Sequence, residues 1–467
     1  MLERADGKAV SLGRVACLVA GASSMLLAAS AAHAAGFASA EFAGESGTVV
    51  SPNPAGLYFN PAAIAFVPGV DIFASGVLAL RSGSWTHASA KGEAPDPAGA
   101  EGANTGTAHF TNVFGAPALA ATTKVGDFAF GAGVYVPFGG RMRWDTNERF
   151  LHDPNYPLAA GGAQRWTITD GAITHLFSTL GAAVRWEHFA LGLTGNLIYS
   201  SITTTQAKSY SAAGLPDTTS EGRNRVDVSG WDGSFGVGAM LEAIPDQLWF
   251  AASYQSRPNI GGQMKLNGTL TLGYQGEVSS QPITFLHALP DILRLGVRYK
   301  YSPDLELRLF GDYTRWSVLS GQCISTRDKP CGVSASGTDV TPELTTIQYM
   351  AREWNDTFAV RLGLTYELTP DVGVVWGAGY ESAASPDATL DPATPDAPSV
   401  RMALGARIAL TRNLTGTVGI TGVASFVRDN TGKSTLSTYD LPARRADGGG
   451  VYELWLALLS LGLEMHL

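Results

Sequence analysis

The sequence lacks long apolar runs. Beyond residue 35, no stretch approaches the roughly 20 apolar residues that a membrane-spanning helix requires. Charged residues are also scarce, at 16% of the 467 residues, and the net charge of −9 argues against a nucleic acid as partner. Mean hydropathy is close to zero, at +0.06. The apolar residues are therefore interleaved with polar ones, among 55 glycines.

Cysteine is equally rare, with three in the chain. Cys17 lies in an apolar amino-terminal segment, which leaves Cys323 and Cys331 as a pair in one long loop. In an exported protein this spacing predicts a disulfide bond that stabilises the loop by roughly 2–3 kcal/mol. Two thiols without a neighbouring histidine are too few for a metal ion. We predict neither a metal site nor a cofactor.

Alternation of apolar and polar residues is the dominant pattern of the chain. From residue 293 to 300, one face carries Leu293, Leu295, Val297 and Tyr299, and the other carries Arg294, Gly296, Arg298 and Lys300. About fourteen stretches after residue 70 follow this pattern, which suits strands with lipid on one side and a polar lumen on the other. Only closure satisfies every backbone group in lipid. The predicted fold is an all-β, transmembrane antiparallel β-barrel.

The lengths of the connections set the topology. Six short turns lie near residues 124–127, 187–188, 244–246, 302–304, 369–371 and 411–413. Seven long segments lie at 86–105, 139–170, 205–225, 259–289, 317–353, 382–398 and 429–449. This predicts about fourteen strands, short periplasmic turns and long outer loops. Segment 259–289 is interpreted either as an extension of two strands or as an extra hairpin.

The amino terminus has the layout of a secretory signal peptide. Arg4, Lys8 and Arg14 precede an apolar segment from about residue 15 to 27, and small residues end at Ala34. The prediction is a signal peptide over residues 1–34, cut before Ala35, and the alternative is an anchor helix. Residues 35–69 contain closely spaced prolines and no alternation, which excludes a central strand. We expect them to form a plug, or hatch, inside the barrel of residues 70–467.

Several short motifs follow one another along the chain, namely Ala35-Gly36-Phe37, Asn60-Pro61-Ala62, Pro137-Phe138-Gly139, Asp312 with Trp316-Ser317, and Trp354-Asn355-Asp356-Thr357. Together they resemble the FadL/OmpP1/TodX family, which transports long-chain fatty acids and aromatic hydrocarbons across Gram-negative outer membranes. The resemblance implies a monomeric barrel of fourteen strands with an amino-terminal hatch. It also implies capture of a hydrophobic ligand by outer loops, internal binding, and exit through a gap at an inward kink of the third strand.

The resemblance assigns candidate roles to two parts of the chain. Pro137-Phe138-Gly139-Gly140 is the candidate kink, because Pro137 lacks an N–H and the glycines are flexible. The alternative is that the third strand ends there. Phe37 and Phe42 of the hatch are candidate ligand contacts, or they pack the hatch against the wall.

Arginines and aromatic residues are interleaved in the long segment 139–170. With Phe138, the candidates for ligand capture are Arg141, Arg143, Trp144, Phe150 and Trp166. The alternative is that these arginines bind lipopolysaccharide phosphates while the rings form an interfacial girdle.

Inside the barrel, Arg298, Arg308 and Arg361 are candidate carboxylate ligands. Most inward arginines are expected to pair with Glu306, Asp312 and Glu367, and an aromatic hydrocarbon needs no arginine.

Two other classes of protein compete with a transporter. A general porin or structural barrel would have the same strand pattern. An outer-membrane lipid hydrolase would use serine and histidine, but the eight histidines are not accompanied by a Gly-x-Ser-x-Gly elbow or a metal-spaced pair. We therefore predict that the protein is not an enzyme.

Overall fold

The structure is a computed structural model that describes residues 42–88, 96–211, 216–259 and 262–467. The predicted signal peptide, its cleavage site and Phe37 lie outside these residues. No helix in the described part of the chain is long and apolar enough to cross a membrane.

Nearly all regular structure is β-strand. The strands are β1 Val70–His87, β2 Gly106–Val125, β3 Phe128–Arg143, β4 Asp170–Trp186, β5 Phe189–Ser209, β6 Glu221–Ile244, β7 Leu248–Gln255, β8 Met264–Tyr274, β9 Glu277–His287, β10 Ile292–Lys300, β11 Leu305–Thr314, β12 Gly321–Thr326, β13 Thr346–Ala351, β14 Thr357–Thr369, β15 Val372–Glu381, β16 Ser399–Thr411, β17 Leu414–Ser425, β18 Arg428–Asp429 and β19 Val451–His466. One α-helical turn covers Gly56–Phe59. Short 3-10 helices cover Pro61–Phe66, Glu148–Phe150, Pro157–Gly161, Ala163–Trp166, Thr218–Ser220, Trp316–Val318 and Leu436–Thr438.

These strands form one closed antiparallel barrel. Closure is made by β1, which pairs with β2 on one side and with the last strand, β19, on the other. Five of the barrel strands are each built from two segments, namely β7 with β8, β9 with β10, β11 with β12, β13 with β14, and β17 with β18. The barrel therefore has fourteen strands. The predicted fold class is confirmed.

Segment 259–289 extends two strands of the wall. β8 continues β7 upward and pairs with β6, from Ser229 opposite Asn267 to Arg223 opposite Gly273. β9 pairs with β12, where Cys323 lies opposite Leu286. Because both segments keep wall neighbours on each side, the segment is not an extra hairpin.

The alternation places apolar residues outside, as expected. Leu293 and Leu295 of β10 are 43% and 57% exposed, whereas Arg294 between them is 7% exposed. Phe358, Val360 and Leu362 of β14 are exposed in the same way. A monomer in water would expose this apolar belt to the solvent, so the belt fits a lipid environment.

Residues 42–69, the described part of the predicted hatch, lie against inward-facing glycines of the wall. A Cβ at Gly377 of β15 would lie 2.6 Å from the carbonyl oxygen of Ala43, and one at Gly192 of β5 would meet the backbone of Pro61 and Ala62. Most of this segment is buried. The core of the molecule lies between this segment and the inner face of the wall. Glycine is needed at these wall positions because the two backbones approach too closely for a side chain.

Candidate functional site

Strand β3 bends near its midpoint while it stays paired with β4 on both sides of the bend. Its pairing with β4 shifts register between Tyr135 and Phe138, so that Val136 and Pro137 form a bulge. All residues from Tyr135 to Gly140 are buried, whereas residues on both sides of this stretch alternate in exposure. Pro137 cannot donate a ladder hydrogen bond, which favours a break at this point. The structure thus places the predicted Pro137-Phe138-Gly139-Gly140 segment at an inward bend within the strand, which continues to Arg143.

The bend opens a gap between β2 and β3. Their ladder runs from Val125 opposite Phe128 to Ala118 opposite Tyr135 and ends there. The strands meet again at Asn112, whose side chain accepts a hydrogen bond from the backbone N–H of Arg143 at 3.1 Å and donates one to its carbonyl oxygen at 3.2 Å. The β2–β3 ladder is therefore interrupted between residues 113–117 of β2 and 136–142 of β3, and this interruption is the gap.

An aromatic cluster covers the inner side of the bend. The Phe138 ring packs edge-on against Trp316 with ring centroids 6.0 Å apart, and Trp316 packs against Trp354 at 4.8 Å. Below the bend, the ring of Tyr58 in the hatch packs against the ring of Tyr135, with ring centroids 5.9 Å apart. The rings therefore connect the bend to the hatch and to the segments that carry Trp316 and Trp354.

Asn60-Pro61-Ala62 fixes the hatch to the wall. The side chain of Asn60 is fully buried and donates to the carbonyl oxygens of Val49 at 2.9 Å and Ala239 at 3.2 Å. It also accepts a hydrogen bond from the Ala62 N–H at 3.1 Å, which caps the 3-10 helix that follows. Because one side chain satisfies three backbone groups, this motif holds the hatch in a fixed position.

A mostly apolar cavity of about 90 Å³ lies above the bend. Gly140 and Met142 of β3 form part of its wall. Its apolar lining also includes Ile168, Ile202, Val226, Phe285 and Ile324. Three arginines, Arg81, Arg352 and Arg445, contribute the positive charge of the cavity.

Two of these guanidinium groups have unused donors. Nη1 of Arg445 and Nε of Arg81 have no hydrogen-bond partner within the described chain, although both side chains are buried. Arg445 makes one bond to Gln206 at 3.2 Å. Burial lowers the pKa of Arg445 to about 10, against the opposing effect of Asp391, so this loop arginine stays charged at neutral pH. By contrast, Arg352 is bonded to Gln322 and Asp391.

The predicted carboxylate ligands on the wall lie elsewhere and are already paired. Arg298 contacts Glu306 at 2.7 Å, and Arg308 bonds to the same carboxylate and to Thr365. These groups line a separate polar cavity at the periplasmic end. Arg361 pairs with Asp312 and borders a small pocket beside the hatch. None of the three lines the apolar cavity.

The predicted capture residues of segment 139–170 are packed into the outer loops. Trp144, Phe150 and Trp166 are buried. Trp144 packs edge-on against Phe110 at 4.8 Å, and Trp166 donates to Asn104 at 2.9 Å. Their rings thus stabilise the loops.

The arginines of that segment are arranged differently. Arg141 and Arg143 remain exposed, and Arg141 pairs with Asp170 at 3.1 Å. They lie at the end of β3, where Arg143 is bonded to Asn112 of β2 above the gap.

Two further candidates have structural partners. Phe42 is 4% exposed, and its ring contacts the inner wall at Gly405 and Gly419 as well as the periplasmic cavity. Cys323 and Cys331 form a disulfide bond with Cα atoms 6.3 Å apart.

Arg81 and Arg445 are not among the site residues predicted from the sequence. Arg81 had a usable signal, because it is the one arginine of β1 and lies in the inward row with Val77, Ala79 and Trp85. Arg445 belongs to an irregular loop, where no periodicity marks the direction of a side chain. Only the folded loop brings it to the cavity.

Known proteins share this architecture. A family model described as "Outer membrane protein transport protein (OMPP1/FadL/TodX)" matches residues 169–444, more than half of the chain. No curated protein sequence matches significantly.

Among solved structures, a FadL homologue of Pseudomonas aeruginosa superposes with a TM-score of 0.70 at 19% identity, covering 94% of this chain and 99% of that one. The toluene transporter TodX of P. putida superposes with a TM-score of 0.64 at 13% identity, covering 92% of this chain and 99% of that one. The toluene transporter TbuX of Ralstonia pickettii superposes with a TM-score of 0.60 at 13% identity, with the same coverage of both chains. At these identities the likeness concerns the fold.

Proposed function

This chain belongs to the OMPP1/FadL/TodX family of outer-membrane transport proteins, and from that premise we propose that it takes up long-chain fatty acids by lateral exit through the gap beside β3. It is a β-barrel protein of the outer membrane of Gram-negative bacteria, takes up hydrophobic compounds and is not an enzyme. Within that class, the structure of the lumen favours an amphipathic carboxylate over a neutral hydrocarbon.

The observation that carries this choice is the pair of buried guanidinium groups in the apolar cavity. Arg81 and Arg445 each leave an N–H without a partner, which is costly for a buried polar group. A carboxylate would accept charge-assisted hydrogen bonds from both sides of the cavity, while its chain contacts Met142, Ile202 and Phe285. A hydrocarbon, which has no acceptor, would leave the donors unsatisfied.

The proposed route follows from the cost of wetting an acyl chain. Exposure costs roughly 0.8 kcal/mol per CH₂, so a chain of many carbons should avoid the polar lower lumen. Gly140 and Met142 belong both to the cavity wall and to the part of β3 beyond its ladder with β2. A ligand leaving the cavity past this stretch would enter the lipid without crossing the charged ladder of Arg298, Glu306 and Arg308. This continuity supports lateral exit.

The roles of the other predicted parts belong to the same proposal. The hatch closes the lumen below the cavity, and the exposed Arg141 and Arg143 attract the anionic ligand or lipopolysaccharide phosphates at the rim. The protein acts as a monomer and needs no cofactor.

Uptake of aromatic hydrocarbons is the second candidate. TodX and TbuX, which have this fold, are named toluene transporters. The aromatic cluster of Phe138, Trp316 and Trp354 at the bend would suit a flat ring.

Binding measurements on the purified protein separate the two. We expect oleate to bind more tightly than oleyl alcohol, which has the same chain without the carboxylate. Arg445→Gln should remove most of this preference, because hydrogen bonds to charged groups contribute about 1.5–3 kcal/mol. Arg149→Gln, at an exposed outer-loop arginine, is the matched control. Equal binding of acid and alcohol by the unaltered protein would exclude the carboxylate site.

A further inference from the structure

We propose that a divalent transition-metal ion binds at the seam where the barrel closes, held by Asp71 of β1 and by Glu464 and His466 of β19. This site is independent of the ligand route and lies at the periplasmic end of the lumen. Within residues 42–88, 96–211, 216–259 and 262–467, these three form the one group of His, Cys, Asp or Glu side chains arranged to hold a metal ion.

The register of the closing strands brings the three side chains together. Asp71 lies directly opposite His466 in the β1–β19 ladder. Glu464 precedes His466 by two residues, so both side chains project from the same face of β19. Because β1 and β19 are the first and last strands, their pairing is also the contact that closes the barrel.

The distances fit a shared cation. Nδ1 of His466 lies 3.1 Å from Oδ2 of Asp71. One ligand atom from each of the three residues lies within 4.8 Å of the other two. Two bonds of about 2.0–2.2 Å span at most about 4.4 Å, so the 3.1 Å pair can share one cation as it stands, and a small side-chain adjustment would bring the third atom into range.

Asp71 provides an independent indication of a missing partner. Its side chain is 0% exposed, and neither carboxylate oxygen makes a hydrogen bond of good geometry within the described chain, although Oδ2 lies 3.1 Å from Nδ1 of His466. The adjacent Glu464 places a second acidic group beside it. Two neighbouring carboxylates with one histidine are electrostatically unfavourable without a cation, and a divalent ion would satisfy both of them at once.

A cation can reach the site from the periplasm. Glu464 and His466 line the polar periplasmic cavity of about 350 Å³, together with Thr415 and Thr417 of β17. The nearby Arg407 is already engaged, by Glu45 at 3.0 Å and by Glu367. One nitrogen and two carboxylate oxygens suit Zn²⁺ or Mn²⁺, with water in the remaining positions. The ion would join the first strand to the last.

The test uses the full mature protein without a polyhistidine tag, stripped with EDTA and titrated with Zn²⁺ in detergent. We expect one bound ion per chain. Asp71→Asn keeps the shape of the side chain and His466→Ala removes a half-exposed ring near the chain end. Each variant should bind Zn²⁺ more weakly by at least roughly 10-fold to 100-fold. Removal of a residue that only hydrogen-bonds to a metal ligand already weakens binding by that factor. His109→Ala, an exposed histidine of β2, is the control.

A second readout is independent of transport. Zn²⁺ should raise the temperature at which the folded barrel is lost on gel electrophoresis, in the unaltered protein and in His109→Ala but not in His466→Ala. An unaltered protein that binds no Zn²⁺, or variants that bind it with unchanged affinity, would overturn the proposal. In that case the two carboxyl groups share a proton.

Discussion

The hydroxyl group of Tyr135 donates a hydrogen bond to the carbonyl oxygen of Pro54 at 3.3 Å. Tyr135 is the last residue of β3 that pairs with β2 before the gap, and Pro54 belongs to the hatch. The hatch is therefore bonded to the wall at the point where the wall begins to open. This contact couples the position of the hatch to the shape of the gap.

Replacing Tyr135 by phenylalanine tests that coupling. Tyr135→Phe removes one of the two donors to the Pro54 carbonyl, the other being the N–H of Leu57 at 3.2 Å. We expect the hatch to be destabilised by about 1 kcal/mol, with faster hydrogen exchange at its backbone amides. Tyr301→Phe, at an exposed tyrosine, is the control. Unchanged exchange in the hatch would mean that the bond does not hold it.

Straightening the bend in β3 should block transport. Pro137→Val with Gly139→Thr and Gly140→Val restores a backbone donor and replaces flexible positions with residues that favour strands. We expect uptake to fall to the level of the untransformed host while the barrel still assembles, as judged by heat-modifiable gel mobility. Gly195→Val, on the outer face of β5, is the control for added bulk. Normal uptake by the straightened variant would refute lateral exit.

Displacing the hatch should make the barrel leak ions. A Cβ at Gly192 would meet the backbone of Pro61 and Ala62, whereas one at Gly195 of the same strand meets nothing within 4 Å. In planar bilayers we expect Gly192→Ala to increase single-channel conductance and Gly195→Ala to leave it unchanged. Deletion of residues 35–60 should give larger currents still. A barrel that stays closed after the deletion would show that another segment blocks the lumen, and a large current in the unaltered protein would favour a porin.

The outer loops should open in acid. Burial raises the pKa of Asp387, but hydrogen bonds from Lys433 and Arg428 outweigh it and hold this pKa below its usual value of 3.8. Because the folded pKa is depressed, the stabilising effect is complete above the unfolded pKa and is lost as pH falls through the folded one. Hydrogen exchange in loops 382–398 and 429–449 should therefore increase below about pH 4. Asp387→Asn should remove that dependence; if it persists, another group is responsible.

The sequence predicts the wall better than the site, and the reason is physical. Alternation such as Leu293 and Leu295 against Arg294 reports directly which side of a strand meets lipid, and the short turns fix the direction of each strand. The bend at Pro137 could be located because proline and glycine act locally. Arg445 could not be placed, since the loop that carries it folds back over the lumen. Asp71 and His466 belong to the first and the last strand, and only closure of the barrel makes them neighbours.

The aromatic residues of the outer loops illustrate a second limit. Trp144, Phe150 and Trp166 alternate with arginines in a way that suits ligand capture, yet the structure buries all three rings among neighbouring loops. Composition cannot distinguish a ring that packs a loop from a ring that waits for a ligand, because both need an apolar surface. Their role in capture stays a prediction.

Uptake of radiolabelled oleate and toluene, measured side by side, is the most direct test of the proposed function. The host is a Gram-negative strain that lacks its own fatty acid transporter and expresses this chain. We expect oleate to be taken up by the host that expresses the unaltered chain. Uptake should be lost with the straightened β3 variant and reduced with Arg445→Gln. Uptake of toluene without oleate, or of neither compound, would contradict the proposed function.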